Sequence, residues 1–175
     1  MHLPWRDVML GDGPAISTSV TAAEAARLAE LARDADVLEI GSAFGYSACL
    51  MALAGAKHVT AVDPHVQLAS REVMTANLAA RGLAGTVTVV RGASPAALDG
   101  LGPFGLVFID GDHAAASVTA DVEAARDLLA PGGVLAVHDL GEDCCCPGVR
   151  AALEALFPGG PSELTGTLAV YRGLA

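Results

Sequence analysis

The most informative segment of this sequence is Leu38-Glu39-Ile40-Gly41-Ser42-Ala43-Phe44-Gly45-Tyr46-Ser47. Its apolar start predicts a buried strand at 37–40, which enters a turn of small residues and then an alanine-rich helix. Gly41 and Gly45 allow the backbone to turn tightly and to approach a ligand closely. The free N–H groups at the start of the helix point toward whatever the turn holds. We interpret the stretch as the first βα turn of a nucleoside- or mononucleotide-binding sheet; the alternative is a tight turn without a ligand.

Short apolar runs alternate with helical segments along the rest of the chain. Strands are predicted at 58–62, 86–90, 106–109 and 134–137, and helices at 21–33, 47–54, 67–81, 115–129 and 149–156, with a helical turn at 95–98. Alternating strands and helices form a parallel sheet, and continuous apolar strands are typical of a sheet covered on both faces. Segments 162–164 and 167–171 predict an antiparallel hairpin. The predicted fold is α/β, a doubly wound Rossmann-like sheet that is mostly parallel and closes with this hairpin.

The composition fits one domain. The chain has 175 residues, of which 53% are hydrophobic, and this is enough for a full core in a single domain spanning 1–175. Residues 1–19 contain two prolines and two glycines and are predicted to form an irregular arm. Thr21, followed three positions later by Glu24, is a capping box that begins the first helix.

Charge and hydropathy argue against two classes of partner. The formal net charge is −10 and Lys57 is the only lysine, so a phosphate backbone would be repelled and no nucleic-acid partner is expected. The mean hydropathy of +0.48 comes from dispersed alanine, valine and leucine, without a run of about 18 apolar residues. The first residues contain no apolar signal core. We therefore expect a cytoplasmic protein with no membrane partner.

The cysteines are Cys49 and the run Cys144-Cys145-Cys146. Structural zinc sites use spaced pairs, because adjacent side chains do not easily converge on one tetrahedral ion. We expect free thiols in a reducing compartment, with a redox or thiol-ligand role as the alternative.

Polar residues cluster where the predicted strands end, at Gly41 to Ser47, Asp63, 92–94, 110–113 and 138–139. In sheets of this type, ligands bind beyond the carboxyl ends of the strands. Asp63 lies 22 positions after Gly41 (63 − 41), where a carboxylate can accept hydrogen bonds from both ribose hydroxyls. The alternative role for Asp63 is to cap the next helix.

The turn distinguishes between two ribose-containing cofactors. A nicotinamide dinucleotide requires three glycines, so that its pyrophosphate can rest on the helix start. Here the turn is Gly41-x-Ala43-x-Gly45, without a third glycine at the dinucleotide position. A carboxylate with an ammonium group, as in S-adenosylmethionine, fits this turn better, and Ser47 could hold the carboxylate.

Taken in order, these motifs resemble those of small class I S-adenosylmethionine-dependent O-methyltransferases, in particular the catechol O-methyltransferase group. The resemblance runs from about Ile16 to Asp139 and is carried by 16–18, 37–41 with 45–47, 87–94, 107–110 and 128–139. It implies a methyltransferase domain with these cofactor-binding residues: Thr18, Gly41, Ala43, Gly45, Ser47, Asp63, Pro64, Ala93, Ser94 and Asp110. Within this set, Asp63 would bind the ribose, and Ala93 with Ser94 would border the adenine.

The resemblance also implies a metal-assisted reaction. Asp110 and Asp139 would bind a divalent cation, magnesium or manganese, and His138 falls at the position of the third ligand. His113 falls where the catechol enzymes have a lysine base, so His113 and Asp110 are the candidate catalytic residues. A cation lowers the pKa of an acceptor hydroxyl, and a nearby base takes its proton. Histidine titrates in the range that such a base requires.

Three positions depart from the catechol group, which has Asp-Asn where this chain has His138-Asp139 and lysine where it has His113. The combination of Asp-x-x-His at 110–113 with His-Asp at 138–139 looks more like that of metal-dependent methyltransferases acting on sugar hydroxyls and natural-product intermediates. Carboxylates suit magnesium, whereas an imidazole ligand favours manganese or iron. The alternatives are a core or second-layer histidine at 138 and a solvent-facing helix start at 113.

We therefore expect an enzyme that methylates a hydroxyl of a small molecule. The rival interpretations are a metal-independent S-adenosylmethionine-dependent methyltransferase, an NAD-dependent oxidoreductase, and a cofactor-binding protein without catalysis. Little sequence remains to cover a substrate, so the arm at 1–19, the loop at 140–147 or a second subunit must do so. Arms of this kind often swap or pack across dimers, so we expect a homo-oligomer.

Overall fold

The computed structural model describes residues 5–67, 69–141 and 146–174. The helices are α1 (Ala22–Ala32), α2 (Tyr46–Leu53), α3 (Ser70–Ala80), α4 (Ala115–Leu128) and α5 (Pro147–Leu156), with a 3₁₀ turn at Ala96–Leu98. The strands are β1 (Arg6–Val8), β2 (Ile16–Thr18), β3 (Asp36–Ile40), β4 (His58–Asp63), β5 (Val87–Arg91), β6 (Phe104–Ile109), β7 (Leu129–Val137), β8 (Glu163–Thr165) and β9 (Leu168–Tyr171). None of these helices is long and apolar enough to span a membrane.

The main sheet has seven strands in the order β5-β4-β3-β6-β7-β9-β8. Strands β3 to β7 pair in parallel, whereas β9 runs antiparallel to both β7 and β8. The chain moves outward from β3 to β5 and then returns to the other side of β3 with β6. The strand order therefore reverses at β3, where ligands bind in sheets of this type. The predicted doubly wound α/β fold with an antiparallel C-terminal hairpin is confirmed.

The sheet separates two apolar cores, as the continuous apolar strands predict. On β6, Leu106 and Phe108 face one core with α1, α2 and α3, and Val107 and Ile109 face the other with α4 and α5. All four side chains are at most 2% exposed. Successive side chains of a strand point to opposite faces, so a strand covered on both sides must be apolar throughout.

Backbone hydrogen bonds continue one residue beyond the strand ends and align the following turns. The Asp110 N–H donates to the Ile40 carbonyl at 2.8 Å, and the His138 N–H donates to the Ile109 carbonyl at 2.9 Å. On the other side of β3, the Gly41 N–H donates to the Val62 carbonyl at 2.9 Å. These bonds place the turns after β3, β4, β6 and β7 side by side at one edge of the sheet.

The arm at 1–19 is not irregular throughout, and that prediction is wrong. Strand β1 pairs antiparallel with β2, with Arg6 opposite Thr18 and Val8 opposite Ile16. The hairpin is attached to the body because Ile16 is buried and the Arg6 side chain donates to the Val20 carbonyl. Gly11, Gly13 and Pro14 lie in the loop between the strands, and two three-residue strands give too short an alternation to be recognised from sequence.

Two element boundaries differ from the prediction by three residues or more. Helix α3 begins at Ser70 rather than near 67, and β7 begins at Leu129 rather than at 134. The earlier start of β7 includes Pro131-Gly132-Gly133, and its pairing with β6 shifts register between Phe104 and Leu106. A proline and two glycines are tolerated at such an irregularity, which a reading of turn residues assigns to a loop.

Candidate active site

The turns that follow the parallel strands enclose a cavity of about 1010 Å³. The structure brings nine of the predicted site residues into its wall: Gly41, Ala43, Asp63, Pro64, Ala93, Ser94, Asp110, His113 and Asp139. Trp5 and Ser19 of the N-terminal arm and Cys146 before α5 also line it. The remaining predicted residues lie outside this wall, as the described residues form it: Thr18, Gly45, Ser47 and His138.

The glycines of the first turn are required by the protein itself. Gly41 has a φ of +93°, and a Cβ placed there would lie 2.2 Å from the Asp110 carbonyl oxygen. Gly45 has a φ of +84°, and its Cβ would lie 2.7 Å from Cγ of Met74. Glycine tolerates both the left-handed conformation and the close approach. Gly41 thus lets the first turn lie directly against the end of β6, whereas Gly45 accommodates α3.

Asp63 connects two turns of the cavity. Its Oδ2 accepts a hydrogen bond from the Ala43 N–H at 2.8 Å, and its Oδ1 accepts one from the His65 N–H at 2.6 Å. The N-cap residue of α3 is Ala69 rather than Asp63. A carboxylate has about four acceptor sites, so Asp63 can hold these two N–H groups and still accept hydrogen bonds from a ligand.

Thr18 and Ser47 are engaged elsewhere. The Thr18 hydroxyl accepts a hydrogen bond from the Val20 N–H at 3.1 Å, between β2 and α1. The Ser47 hydroxyl donates to Oε1 of Glu39 beneath the first turn, where both residues are buried. Ser47 therefore contacts a second carboxyl rather than the cavity.

Sequence reasoning missed Glu39. This side chain is fully buried, and its Oε2 has no hydrogen-bond partner among the described residues. Burial raises the pKa of Glu39 to about 8, although the Ser47 hydrogen bond acts in the opposite direction. A glutamate in a strand that is otherwise apolar and buried was the available signal, because such a group is almost never buried without a partner.

We expect Glu39→Gln to change the pH dependence of stability. Folded Glu39 keeps its proton up to a pH near 8, whereas an ordinary glutamate loses it near 4.5. Between these values the folded state binds more protons than the unfolded state, so this residue makes the free energy of unfolding fall as pH rises. Glutamine does not ionise, so the variant should gain stability relative to the parent from about pH 5 to about pH 8.

Urea unfolding at about pH 5 and about pH 8, followed by circular dichroism, measures the stability of the variant relative to the parent. Glu123→Gln on α4 is the control, because the Glu123 side chain is exposed. Parallel pH profiles for the Glu39 variant and the parent would contradict the assignment of a neutral buried carboxyl.

Asp110 and His138 form a buried network that also includes Glu24. Nδ1 of His138 lies 3.2 Å from Oδ1 of Asp110, and Nε2 lies 3.3 Å from Oε2 of Glu24. Burial alone would lower the pKa of His138, but the charge of Asp110 and hydrogen bonds to Asp110, Asp139 and Glu24 raise it to about 12. His138 is therefore a buried imidazolium whose ring nitrogens both face carboxylates.

Glu24 joins three parts of the chain. It forms the predicted capping box with Thr21, which the structure contains, and it accepts hydrogen bonds from the N–H and hydroxyl of Thr167 in the C-terminal hairpin. Burial raises the pKa of Glu24, but the hydrogen bonds from His138, Thr167 and Thr21 outweigh burial and hold it well below its usual range. The capping motif was visible in the sequence, but the contact with His138 was not.

His113 and Asp139 form a pair on the cavity wall. Nε2 of His113 lies 3.0 Å from Oδ2 of Asp139, and the two side chains are 41% and 10% exposed. This hydrogen bond raises the pKa of His113 above its ordinary value, against the opposing effect of burial. Asp139 adopts a φ of +65°, a strained conformation of a kind found at functional sites. The pair has the geometry of a base held in orientation by a carboxylate.

Comparison with known proteins agrees with this architecture. The profile of a methyltransferase-domain family matches residues 38–140. A catechol O-methyltransferase of Mycobacterium tuberculosis (strain ATCC 25618 / H37Rv) is 31% identical over 150 residues, which are 75% of this chain and 67% of that protein.

Two solved structures extend the comparison. A crystal structure of cofactor-bound Rv0187 from MTB has a TM-score of 0.67 and 30% identity, covering 77% of this chain and 67% of that one. The O-methyltransferase TomG from Streptomyces achromogenes, solved with SAM, has a TM-score of 0.63 and 25% identity, covering 79% and 70%.

The sheet order and the cavity at its carboxyl edge define a methyltransferase domain. The chain belongs to the class I S-adenosylmethionine-dependent O-methyltransferases, as the order of its motifs indicates.

Proposed function

We propose that this chain transfers the methyl group of S-adenosylmethionine to a hydroxyl of a small molecule, with a divalent cation at Asp110 and Asp139 and with His113 as the base. The observation that carries the proposal is that one cavity is lined by Asp63, by Asp110 and by the His113–Asp139 pair. The relatives bound to a cofactor support the choice of methyl donor.

The cavity offers groups that suit each part of the donor. Asp63 has acceptor capacity left for the ribose hydroxyls, and Ala93, Ser94 and Pro95 form a wall suited to the adenine. Glu39 lies behind the first turn, and one of its oxygens has no partner among the described residues. The α-ammonium group would bind there after Glu39 gives up its proton, because a neighbouring cation lowers the pKa of a carboxyl. Its Ser47 hydrogen bond fixes its orientation, so Ser47 acts through Glu39 rather than on the donor itself.

Asp139 orients His113 for proton transfer. Because Oδ2 of Asp139 holds the Nε2 proton of His113, the other ring nitrogen, Nδ1, is the one left to accept a proton from the acceptor hydroxyl. The oxygen then attacks the methyl carbon in line with the C–S bond. That bond breaks, its electron pair stays on sulfur, and S-adenosylhomocysteine leaves as a neutral thioether. Trp5 packs edge to face on Phe44, with ring centroids 5.6 Å apart. It gives the cavity wall an apolar surface against which the acceptor can pack.

The donor set fits a hard divalent cation. Ligand atoms of Asp110, His138 and Asp139 all lie within 4.8 Å of one another, and carboxylate oxygens are the ligands that magnesium and manganese prefer. The bound cation would lower the pKa of the acceptor hydroxyl. We assign the ligand role to the two carboxylates, since both nitrogens of His138 face carboxylates. His138 then serves to hold Asp110.

Removing the cation should abolish methyl transfer. We expect a chelator to stop transfer from methyl-labelled S-adenosylmethionine to a hydroxylated acceptor, and magnesium or manganese to restore it. Asp139→Asn should mimic chelation while nearly preserving the affinity for S-adenosylhomocysteine, because the carboxylate that binds ribose, Asp63, is untouched. Asp127→Asn, at an α4 residue outside the cavity wall as the described residues form it, is the matched control.

A second candidate function is metal-independent methyl transfer. The observation that favours it is the imidazolium of His138, which already places a positive charge beside Asp110 and Asp139. Undiminished transfer in the chelator would support this candidate and exclude the cation from the mechanism.

A further inference from the structure

Asp139 belongs to two groups of possible metal ligands, one with Asp110 and His138 and a second with His113 and Cys146. The thiol of Cys146, the imidazole of His113 and the carboxylate of Asp139 lie with their ligand atoms all within 4.8 Å of one another. Cys146 is 4% exposed and lines the cavity. The two oxygens of Asp139 face different neighbours: Oδ1 lies 3.6 Å from Nδ1 of His138, and Oδ2 lies 3.0 Å from Nε2 of His113.

The position of Cys146 is fixed by close backbone packing. Cys146 directly precedes α5, and a Cβ placed on Gly148 would lie 2.3 Å from the His113 carbonyl oxygen and 2.7 Å from the Ala115 nitrogen. The first turn of α5 therefore rests on the segment that carries His113. A glycine at 148 permits this approach. The resulting contact between the start of α5 and the His113 segment places the Cys146 thiol beside the imidazole.

The chemistry of this second group differs from that of the first. Sulfur, imidazole nitrogen and carboxylate oxygen together form a borderline-soft donor set, which suits Zn²⁺ and disfavours Mg²⁺. Three protein ligands leave one position of a tetrahedral ion open. Cys49, by contrast, is buried in the opposite core, where burial raises the pKa of its thiol to about 11.

We propose that His113, Asp139 and Cys146 form a binding site for a soft divalent cation such as Zn²⁺, and that its occupation inhibits methyl transfer. On binding, the Cys146 thiol loses its proton to solvent, and the Nε2 proton of His113 moves through solvent to Nδ1. The His113–Asp139 hydrogen bond is thereby replaced by two metal–ligand bonds. The inhibition rests on the proposed function, because it follows from withdrawing His113 from its role as base. The binding does not rest on it.

Cobalt(II) tests the binding without any methyl acceptor. Titration of the 175-residue chain with Co²⁺ should produce a near-ultraviolet sulfur-to-cobalt charge-transfer band that saturates at one ion per chain. Cys146→Ser should abolish the band and weaken Co²⁺ binding at this site by about tenfold or more, because even the loss of a residue that only supports a ligand costs about that much. Cys146→Ala, checked by circular dichroism, distinguishes the loss of the ligand from a loss of folding.

Two controls determine whether Cys146 is the ligand. Cys49→Ala and the double variant Cys144→Ser/Cys145→Ser should both keep the charge-transfer band. A band that persists in both Cys146 variants, or that disappears only with Cys144 and Cys145, would overturn the proposal, as would the absence of a band in the parent protein.

Zinc inhibition tests the consequence. With each variant's rate normalised to its own rate without zinc, Cys146→Ser should require about tenfold more Zn²⁺ for half inhibition than the parent or Cys49→Ala. Equal sensitivity would overturn the inhibitory role. If no methyl transfer is found in any variant, the proposed function fails while the cobalt result still decides the site.

Discussion

His113→Ala is expected to slow methyl transfer by about 10²–10⁴-fold, the usual contribution of a positioned general base. The reason is that Nε2 of His113 bonds to Oδ2 of Asp139 at 3.0 Å, which holds the ring in one orientation on the cavity wall. The affinity for S-adenosylhomocysteine should be nearly unchanged, since His113 is not assigned to the donor. The measurement is the single-turnover rate with a hydroxylated acceptor, with His58→Ala as control because His58 is bonded to Thr88 on the edge side of the sheet.

The pH profile provides a second readout of the same role. A base must be neutral, and Asp139 raises the pKa of His113, so the rate should increase with pH until His113 is deprotonated. Asp139→Asn should move any residual activity to a lower apparent pKa. If His113→Ala kept the parent's rate and pH profile, His113 would be only a residue near the start of a helix, with no part in catalysis.

Gly41→Ala is expected to destabilise the fold by about 3–5 kcal/mol and to remove cofactor binding. An alanine at a φ of +93° is strained, and its Cβ would lie 2.2 Å from the carbonyl oxygen of Asp110. Backbone cannot yield as a flexible side chain can, so the first turn and the end of β6 would separate. This separation would move Ala43 away from Asp63, to which it donates at 2.8 Å.

A second glycine separates the effect of the steric clash at position 41 from the effect of the strained backbone conformation. Gly132 has a φ of +76°, and a Cβ placed there would meet nothing within 4 Å, so Gly132→Ala should lose only the conformational contribution of about 1–2 kcal/mol. Urea unfolding of both variants, with calorimetric titration of S-adenosylhomocysteine, measures the two effects. Equal destabilisation by the two alanines would show that the contact between the turns has no energetic importance.

The main sheet could be predicted because its signals are local. Apolar runs such as 106–109, bounded by turn residues, are long enough to define strands without their partners. The hairpin of β1 and β2 could not be predicted, because its strands have three residues each and are stabilised by contacts with Val20 and the body of the domain. Distant packing, rather than local pattern, decides such elements.

In the candidate site, too, local sequence patterns could be predicted, whereas contacts made by distant packing could not. Asp63, Asp110, His113 and Asp139 could be placed in one cavity because parallel strands end at one edge of a sheet. The partners of His138 could not, since Glu24 lies 114 positions away along the chain and meets it only through the packing of α1 against the sheet. Similarly, the sequence predicts a helix at 149–156 after the loop that contains Cys146, but not that the first turn of this helix rests on the segment that carries His113.

Calorimetric titration of S-adenosylhomocysteine shows whether this cavity binds the methyl donor and whether Asp63 holds its ribose, and it requires no methyl acceptor. We predict that the parent binds one equivalent and that Asp63→Asn lowers the affinity by about 10- to 150-fold, as for a lost charge-assisted hydrogen bond. Asp112→Asn, at another carboxylate of the same cavity wall, should remain within a few-fold of the parent. Absence of binding to the parent, or equal affinities of the parent and Asp63→Asn, would contradict the account.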